Sequence, residues 1–410
     1  MNEFFRILAR QVGTDLGRLP RAVGSRLTDE GRVAQCVNIA DLRLLARRRV
    51  PRVAFDYVDG AAWDEVSSQR NREDFGRLAI LPRMLVDVSS IDTVTTVLGQ
   101  PVSLPLIGGA TGQTGLTHRQ GEVAVARGVN ACGTISTLST AASYSIEEVA
   151  GASTGPKWFQ LYVSRDRGLA GELIARARAA GYLALVLTVD VQRSGARERD
   201  RRNRFSVPPR ITLRTLLDGA RRPRWSAAFI RHPRILMANF ADRLAGQDAI
   251  SMAEFINRQF DASLSWADFD WLREHWPGPI VVKGILRADD ARRAVDLGAA
   301  GILVSNHGGR QLDHVISAVR ALPAVVEAVG GDAEIYLDGG VRRGTDIVKA
   351  LALGARACMV GRPLMYGLGA GGEAGVRRAV QILAGELETA MALSGCPSLA
   401  AIDGSLVGPA

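Results

Sequence analysis

The chain is 410 residues long, 47% apolar and 6% aromatic, with 44 glycines and a formal charge of +9. It is long enough for one large domain or two average ones with a sizeable core, and many glycines at ordinary hydrophobicity suit an α/β protein rich in tight turns. The basic surplus fits a basic surface, an anionic substrate or an anionic membrane; zinc-ligand spacing, RNA-binding aromatic motifs and a recognition helix are all missing, which argues against metal and nucleic acid.

Cys36, Cys132, Cys358 and Cys396 are far apart, and Cys132 and Cys358 sit inside apolar runs. No disulfide framework is expected, and a reducing cytoplasm is the default location. The N-terminus lacks the apolar stretch of a signal peptide, and no run approaches the roughly 18 residues of a membrane span.

In chain order, residues 1–36 are arginine-bearing and weakly periodic, and read as a poorly anchored extension. Residues 37–103 form an N-terminal segment that is helical over 37–72. Leu42, Leu44, Leu45, Val53 and Phe55 recur there at helical spacings, and Pro51 opens a second helix. From Leu104 short apolar runs alternate with amphipathic stretches. The runs cover 104–109, 133–139, 157–163, 183–190, 279–284, 301–306, 333–339 and 357–362. Each is nearly continuous in apolar residues, as parallel strands buried on both faces are. Eight βα units in succession predict a (β/α)8 TIM barrel over 104–400. One connection, between the fourth and fifth runs, is far too long for a plain loop. Its stretch 208–250 is polar, basic and irregular, and 252–276 reads as helical; such insertions are commonly lids or binding segments.

Barrel chemistry sits at the C-terminal ends of strands. The runs end, in order, at Ala110-Thr111-Gly112, Ser139, Gln160 with Tyr162, Thr188 with Asp190, Lys283, Ser305–Asp313 (SNHGGRQLD), Asp338–Gly344 (DGGVRRG) and Gly361-Arg362-Pro363. The last two look like a phosphate site: glycine turns expose N–H groups, a helix N-terminus follows, and Arg362 adds a charged donor. In SNHGGRQLD, His307 suits proton abstraction near neutral pH, and Arg310 suits two-point capture of a carboxylate. Asp338 is the expected partner that holds the imidazole in one tautomer.

These residues resemble those of the FMN-dependent L-2-hydroxy-acid oxidases and dehydrogenases, over about residues 38–400. SNHGGRQLD, DGGVRRGTDIVKALALGA and WFQLYV are close to family signatures, and GARERDRRNRFSVPP is most similar to the mandelate and lactate dehydrogenase branches. The resemblance implies oxidation of a small L-2-hydroxy acid to the 2-keto acid, with His307 taking the proton as hydride passes to flavin N5. It implies that Arg197, Arg310, Tyr57 and Tyr162 hold substrate, and that Asp190 and Asp338 support His307. Lys283 would lie near flavin N1. Ser139, Gln160, Thr188 and Ser305 would meet the polar parts of the cofactor. Thr111 and Gly112 would pass under the ring, and Gly340, Arg342, Gly361 and Arg362 would take the phosphate. It also implies a homo-oligomer, a tetramer among relatives. Two departures stand out. Ala110 replaces a proline, and Ala141 stands where plant glycolate oxidases carry tryptophan, which leaves room for a larger substrate. A specialised biosynthetic oxidase or oxidative deaminase, and a flavin- or phosphate-binding barrel isomerase, remain alternatives.

Two readings of 208–250 stay open. The stretch carries Arg210, Arg214, Arg221, Arg222, Arg224, Arg231, Arg234 and Arg243 against Asp218, Asp242 and Asp248, with Trp225, Phe229, Ile230, Leu236, Met237 and Phe240 interspersed. One reading is peripheral contact with the inner face of an anionic membrane, so that electrons reach a quinone; the other is a solvated lid, with oxygen as the acceptor.

Overall fold

The computed structural model describes residues 28–205, 212–241 and 261–410. Eight parallel strands close on themselves: β1 (Leu106–Gly108), β2 (Ile135–Ser139), β3 (Lys157–Leu161), β4 (Ala184–Thr188), β5 (Ile280–Ile285), β6 (Gly301–Val304), β7 (Glu334–Asp338) and β8 (Ala357–Val360), with β8 paired to β1. All eight apolar runs are barrel strands, so the (β/α)8 expectation holds. Residues of β2, β3 and β4 are buried at every position, which is why their runs do not alternate with polar residues.

Alternate side chains point inward. Ile107, Ile135, Trp158, Val186, Val281, Leu303, Tyr336 and Met359 fill the interior. Trp158 packs edge-on against Tyr336 at 5.6 Å between ring centroids. An antiparallel hairpin, Thr95–Val97 with Gln100–Val102, adds Val97 and Val102 to this cluster. The Leu98 N–H at its turn donates to the Glu334 carboxylate at 3.1 Å. One barrel end is thereby plugged, and the C-terminal mouth stays open.

Before the barrel come helices Ile39–Arg49, Arg52–Asp59 and Val66–Gly76, with Asn38 capping the first and Pro51 at the N-cap of the second. Anchoring begins earlier than the sequence suggested. Thr28 caps a helix over Asp29–Ala34, whose Val33 is buried, and Asp29 pairs with Arg49. Residues 1–27 lie outside the described residues. The ordered unit also runs past 400, because Val407–Pro409 pairs with Leu78–Ile80.

The long connection differs from expectation in three ways. Its first part is not irregular: Leu213–Ala220 and Pro223–Arg231 are helices. Of its last part, the described residues 261–276 are helical over Asp268–His275. Before that helix Asp261 and Asp268 accept from Ser263 and Ser265 N–H groups, a local alternative to helix that aspartate and serine favour, and both pair with Arg167. Residues 252–260 lie outside the described residues, as do Arg210, Asp242, Arg243 and Asp248. Third, among the described residues several of its apolar side chains turn toward the barrel. Trp225 donates to the Leu116 carbonyl at 3.1 Å and stacks on Phe229. Phe240 is buried, and Met237 packs on the core. Ile230 and Leu236 stay exposed, joined by Leu216 and Leu217. Residues 237–240 lie over the barrel mouth: the Ala238 N–H donates to Ala142 O at 3.0 Å, and the Asn239 side chain bridges the Ile146 N–H and the Thr140 carbonyl.

Candidate active site

A cavity of about 320 Å³ opens at the C-terminal mouth, lined by residues from nearly every strand end. His307 enters it from the turn after β6. Its φ of 57° lies in the left-handed region, followed by Gly308 at 64° and Gly309 at 76°. A histidine there is strained, and only the surroundings hold it. Ser305 Oγ accepts the His307 N–H at 3.0 Å, and Asn306 caps Gly309 while exchanging two hydrogen bonds with Asn71.

The imidazole is tied at one nitrogen and open at the other. Nδ1 lies 2.9 Å from Asp190 Oδ1, and Nε2 lies 3.5 Å from the Tyr162 hydroxyl. A carboxylate at Nδ1 selects the tautomer with its proton there, leaving the Nε2 lone pair facing the cavity. Burial holds the imidazole below the usual histidine value, helped by Lys283 and opposed by Asp190. Burial would raise the Asp190 carboxyl, but His307 and Lys283 overcome it and hold it low. Asp338 is not the partner of His307, contrary to the reading of SNHGGRQLD. Its Oδ2 lies 3.3 Å from Lys283 Nζ, which also donates to Ser305 Oγ at 2.9 Å. The aspartate two residues beyond β4 reaches the imidazole, while the one that ends β7 meets the lysine of β5.

Two guanidinium groups face one ring. Arg310 Cζ stands 5.0 Å and Arg197 Cζ 5.7 Å from the Tyr57 centroid, and Phe205 stacks on the same tyrosine at 4.7 Å. Arg310 donates to the carbonyls of Tyr57 and Gly60. Burial, and then the Arg197 charge, push its guanidinium below the usual arginine value. Cations crowded this way favour an anion between them.

On the opposite wall a polar ladder crosses three strands. Ser139 donates to Gln160 at 2.9 Å, and Gln160 donates to Thr188 at 3.0 Å, all three buried. Thr111 Oγ1 lies 3.2 Å from Met365 Sδ, and the Gly112 carbonyl accepts from Tyr57 at 3.5 Å. A Cβ on Gly112 would stand 3.0 Å from the Ala141 carbonyl, tight enough to push the two loops apart slightly.

Gly340, Arg342, Gly361 and Arg362 form the third part of the lining. Burial is the main cause that lowers both guanidiniums, and it brings Arg362 to about 10 with help from Arg310 and Arg342. Arg362 is partly committed: it donates to the carbonyls of Val58, Gly60 and Gly308.

A family model described as FMN-dependent dehydrogenase matches residues 46–409. The chain belongs to the FMN-dependent dehydrogenase family. Among curated relatives of this family it is similar to the L-lactate oxidase of Nostoc sp., 46% identical over 379 residues, covering 92% of this chain and 99% of that protein. It is also similar to glycolate oxidase 1 of Zea mays, 45% identical over 370 residues, covering 90% and 95%. A solved structure of (S)-mandelate dehydrogenase, described as a monotopic membrane protein, superposes with a TM-score of 0.88 at 40% identity, covering 92% of this chain and all of that one. The chain is thus an FMN-dependent oxidoreductase acting on the CH–OH of 2-hydroxy acids, and FMN is its cofactor.

The cavity suits FMN on its own terms. A buried surplus of guanidinium groups at one end matches a phosphate dianion. Buried alternating donors and acceptors across β2 to β4 match the edge of a polar ring. Asp338 Oδ1 lines the cavity region, buried and without a protein partner. Several residues at or behind the cavity wall carry no mark in the sequence. Asn71 and Asp59 sit on helices before the barrel and support the wall from behind, through Asn306 and through Arg199 and Tyr366. Met237 lay inside the insertion, Phe205 just before it, and nothing in their spacing pointed inward.

Proposed function

We propose that this enzyme oxidises L-2-hydroxy acids of lactate to mandelate size to 2-keto acids, with His307 as the base. The observation that carries the reading is the imidazole itself: Nδ1 held by Asp190, Nε2 open to the cavity, and two guanidiniums within reach of the same space. Arg310 and Arg197 hold the substrate carboxylate, which fixes C2 relative to His307. Tyr162 stands beside Nε2 and positions the hydroxyl. Nε2 takes the hydroxyl proton, and Asp190 stabilises the resulting imidazolium without itself being protonated. Bound FMN supplies the two-electron acceptor. Lys283, paired with Asp338, offers positive charge at the cofactor seat. An isomerase would leave the His307–Asp190 pair and the paired guanidiniums without work.

The substrate side chain is assigned to the space beside Ala141, Val191, Ser194 and Met237, all on the cavity wall. Ala141→Trp fills it with an indole. Measured kcat/KM is expected to fall for mandelate far more than for glycolate; an equal fall for both would remove the assignment.

The acceptor reading rests on the insertion. Leu216, Leu217 and Ile230 are exposed on its two helices, with Arg221 and Arg231 nearby, and a relative of known structure is described as monotopic. No helix among the described residues is long and apolar enough to cross a membrane. We propose peripheral docking of this edge on the inner, cytoplasmic face of an anionic membrane, with a quinone as acceptor. Oxygen is the second reading, favoured by relatives named oxidases. Co-sedimentation with anionic vesicles at low and high salt, for the parent and for Leu216→Glu/Leu217→Glu/Ile230→Glu, separates them: no binding by the parent leaves oxygen. Exposed Leu81, Met84 and Leu85 support homo-oligomer assembly, read by light scattering of the holoenzyme.

A further inference from the structure

Asp59 ends the Arg52–Asp59 helix with its side chain 6% exposed. Its carboxylate accepts four hydrogen bonds. Oδ1 takes Arg43 Nε at 2.6 Å and the Tyr366 hydroxyl at 2.8 Å; Oδ2 takes Arg43 Nη2 at 2.8 Å and Arg199 Nη1 at 3.1 Å. Burial alone would raise this carboxyl; the bonds from Arg43 and Tyr366 and the two arginine charges hold it at about 2.

Its partners lead to opposite ends of the cavity. Arg199 stands two residues after Arg197, and its other nitrogen pairs with Glu65, whose second oxygen accepts the Ala61 N–H at 3.0 Å. That fixes the turn carrying Arg197. Tyr366 lies on the other side, with its ring 5.9 Å from Arg342. The main chain around Asp59 is gripped from both ends as well. Arg362, on the phosphate side, donates to Val58 O and Gly60 O; Arg310, on the carboxylate side, donates to Tyr57 O and to the same Gly60 O.

We propose that the Tyr57–Gly60 segment, pinned by Asp59, couples the phosphate end of the FMN site to the substrate-carboxylate end, so that each ligand tightens the other. Asp59 is a positioning residue. The inference rests on the assignment of Arg197 and Arg310 to the carboxylate. An anion at Arg342 and Arg362 settles the guanidinium that holds Val58 and Gly60, and the same segment presents Tyr57 and orders Arg310 and the Arg197 turn. Coupling of this kind is reciprocal.

The test follows FMN release from the holoenzyme by the fluorescence of freed flavin, with and without saturating oxalate, a dianion with no C–H bond to oxidise. In the parent, oxalate slows release by about tenfold, within the usual range of site coupling. In Asp59→Asn and in Tyr366→Phe the slowing falls below about twofold, while oxalate still perturbs the flavin spectrum. A merely structural role speeds release equally with and without oxalate and leaves the ratio at the parent value; that result overturns the proposal. Where Asp59→Asn does not retain FMN, Tyr366→Phe decides, since it keeps both arginine pairs. Oxalate that leaves the parent spectrum unchanged overturns the carboxylate assignment and the coupling together. An altered spectrum with equal slowing in all three proteins overturns the coupling alone.

Discussion

The two ends of this barrel are made from the same eight strands and of different material. At the plugged end Val97 and Val102 seal an interior filled by side chains, with Trp158 and Tyr336 the largest. At the open end polar side chains gather at or just beyond the strand ends, His307 is held in a strained conformation, and guanidiniums crowd against one another. The closed end holds the shape through burial. The open end carries crowded buried cations and a base that faces the cavity. Stability and chemistry are therefore separable along one axis, and each end can be attacked alone.

The largest effect is expected at the open end. His307→Ala should lower kcat by about 10²–10⁴-fold, or more if the ring also orients substrate, while FMN stays bound and the melting temperature barely moves. Steady-state rates and flavin content check this; near-normal turnover would remove the histidine from the mechanism. At the closed end, Trp158→Ala should cost about 3–5 kcal/mol of stability in denaturant unfolding, with kcat/KM per folded molecule little changed. A large loss of kcat/KM without loss of stability would break the division between the ends. Arg310→Lys keeps the charge and loses the fork. It should cost about 2 kcal/mol in kcat/KM, carried mostly by KM.

The smallest effect is a pH limb. The neutral imidazole is the active form, and burial sets its value below the usual 6.5. kcat/KM should therefore stay flat down to 6.5 and fall only below it, as His307 takes its proton. Asp190 raises that value, so Asp190→Asn should move the limb further toward acid along with a loss of rate. The unfolded chain protonates this histidine first, so this group contributes a loss of stability as pH falls from 6.5. A limb centred above 6.5 would mean that Asp190 outweighs burial.

Much of this division was legible in the sequence. Strands buried on both faces write themselves as apolar runs, and their ends then mark the mouth, so Ser139, Gln160, Thr188, Lys283, His307 and Arg310 could be named from position alone. Partnerships could not. Whether Asp190 or Asp338 meets His307 depends on the relative heights of β4 and β7, which a linear reading does not contain. The plugging hairpin is short and carries only Val97 and Val102 inward, too little for a periodic signal. Asp59 looks like any helix-terminal acid until the fold brings Arg43, Arg199 and Tyr366 onto it. Trp225 and Phe229 sat among arginines, and the sequence offered no sign that they face the barrel.

The open mouth is proposed to oxidise an L-2-hydroxy acid through His307. Anaerobic mixing of the yellow holoenzyme with L-lactate, (S)-mandelate and their mirror images tests it most directly, because flavin absorbance reports the chemical step without any electron acceptor. Rapid bleaching is expected with at least one L or S acid, none with its enantiomer, and bleaching slowed by about 10²–10⁴-fold in His307→Ala. A flavin that stays oxidised with every L-2-hydroxy acid, or one that bleaches at the parent rate without His307, would contradict it.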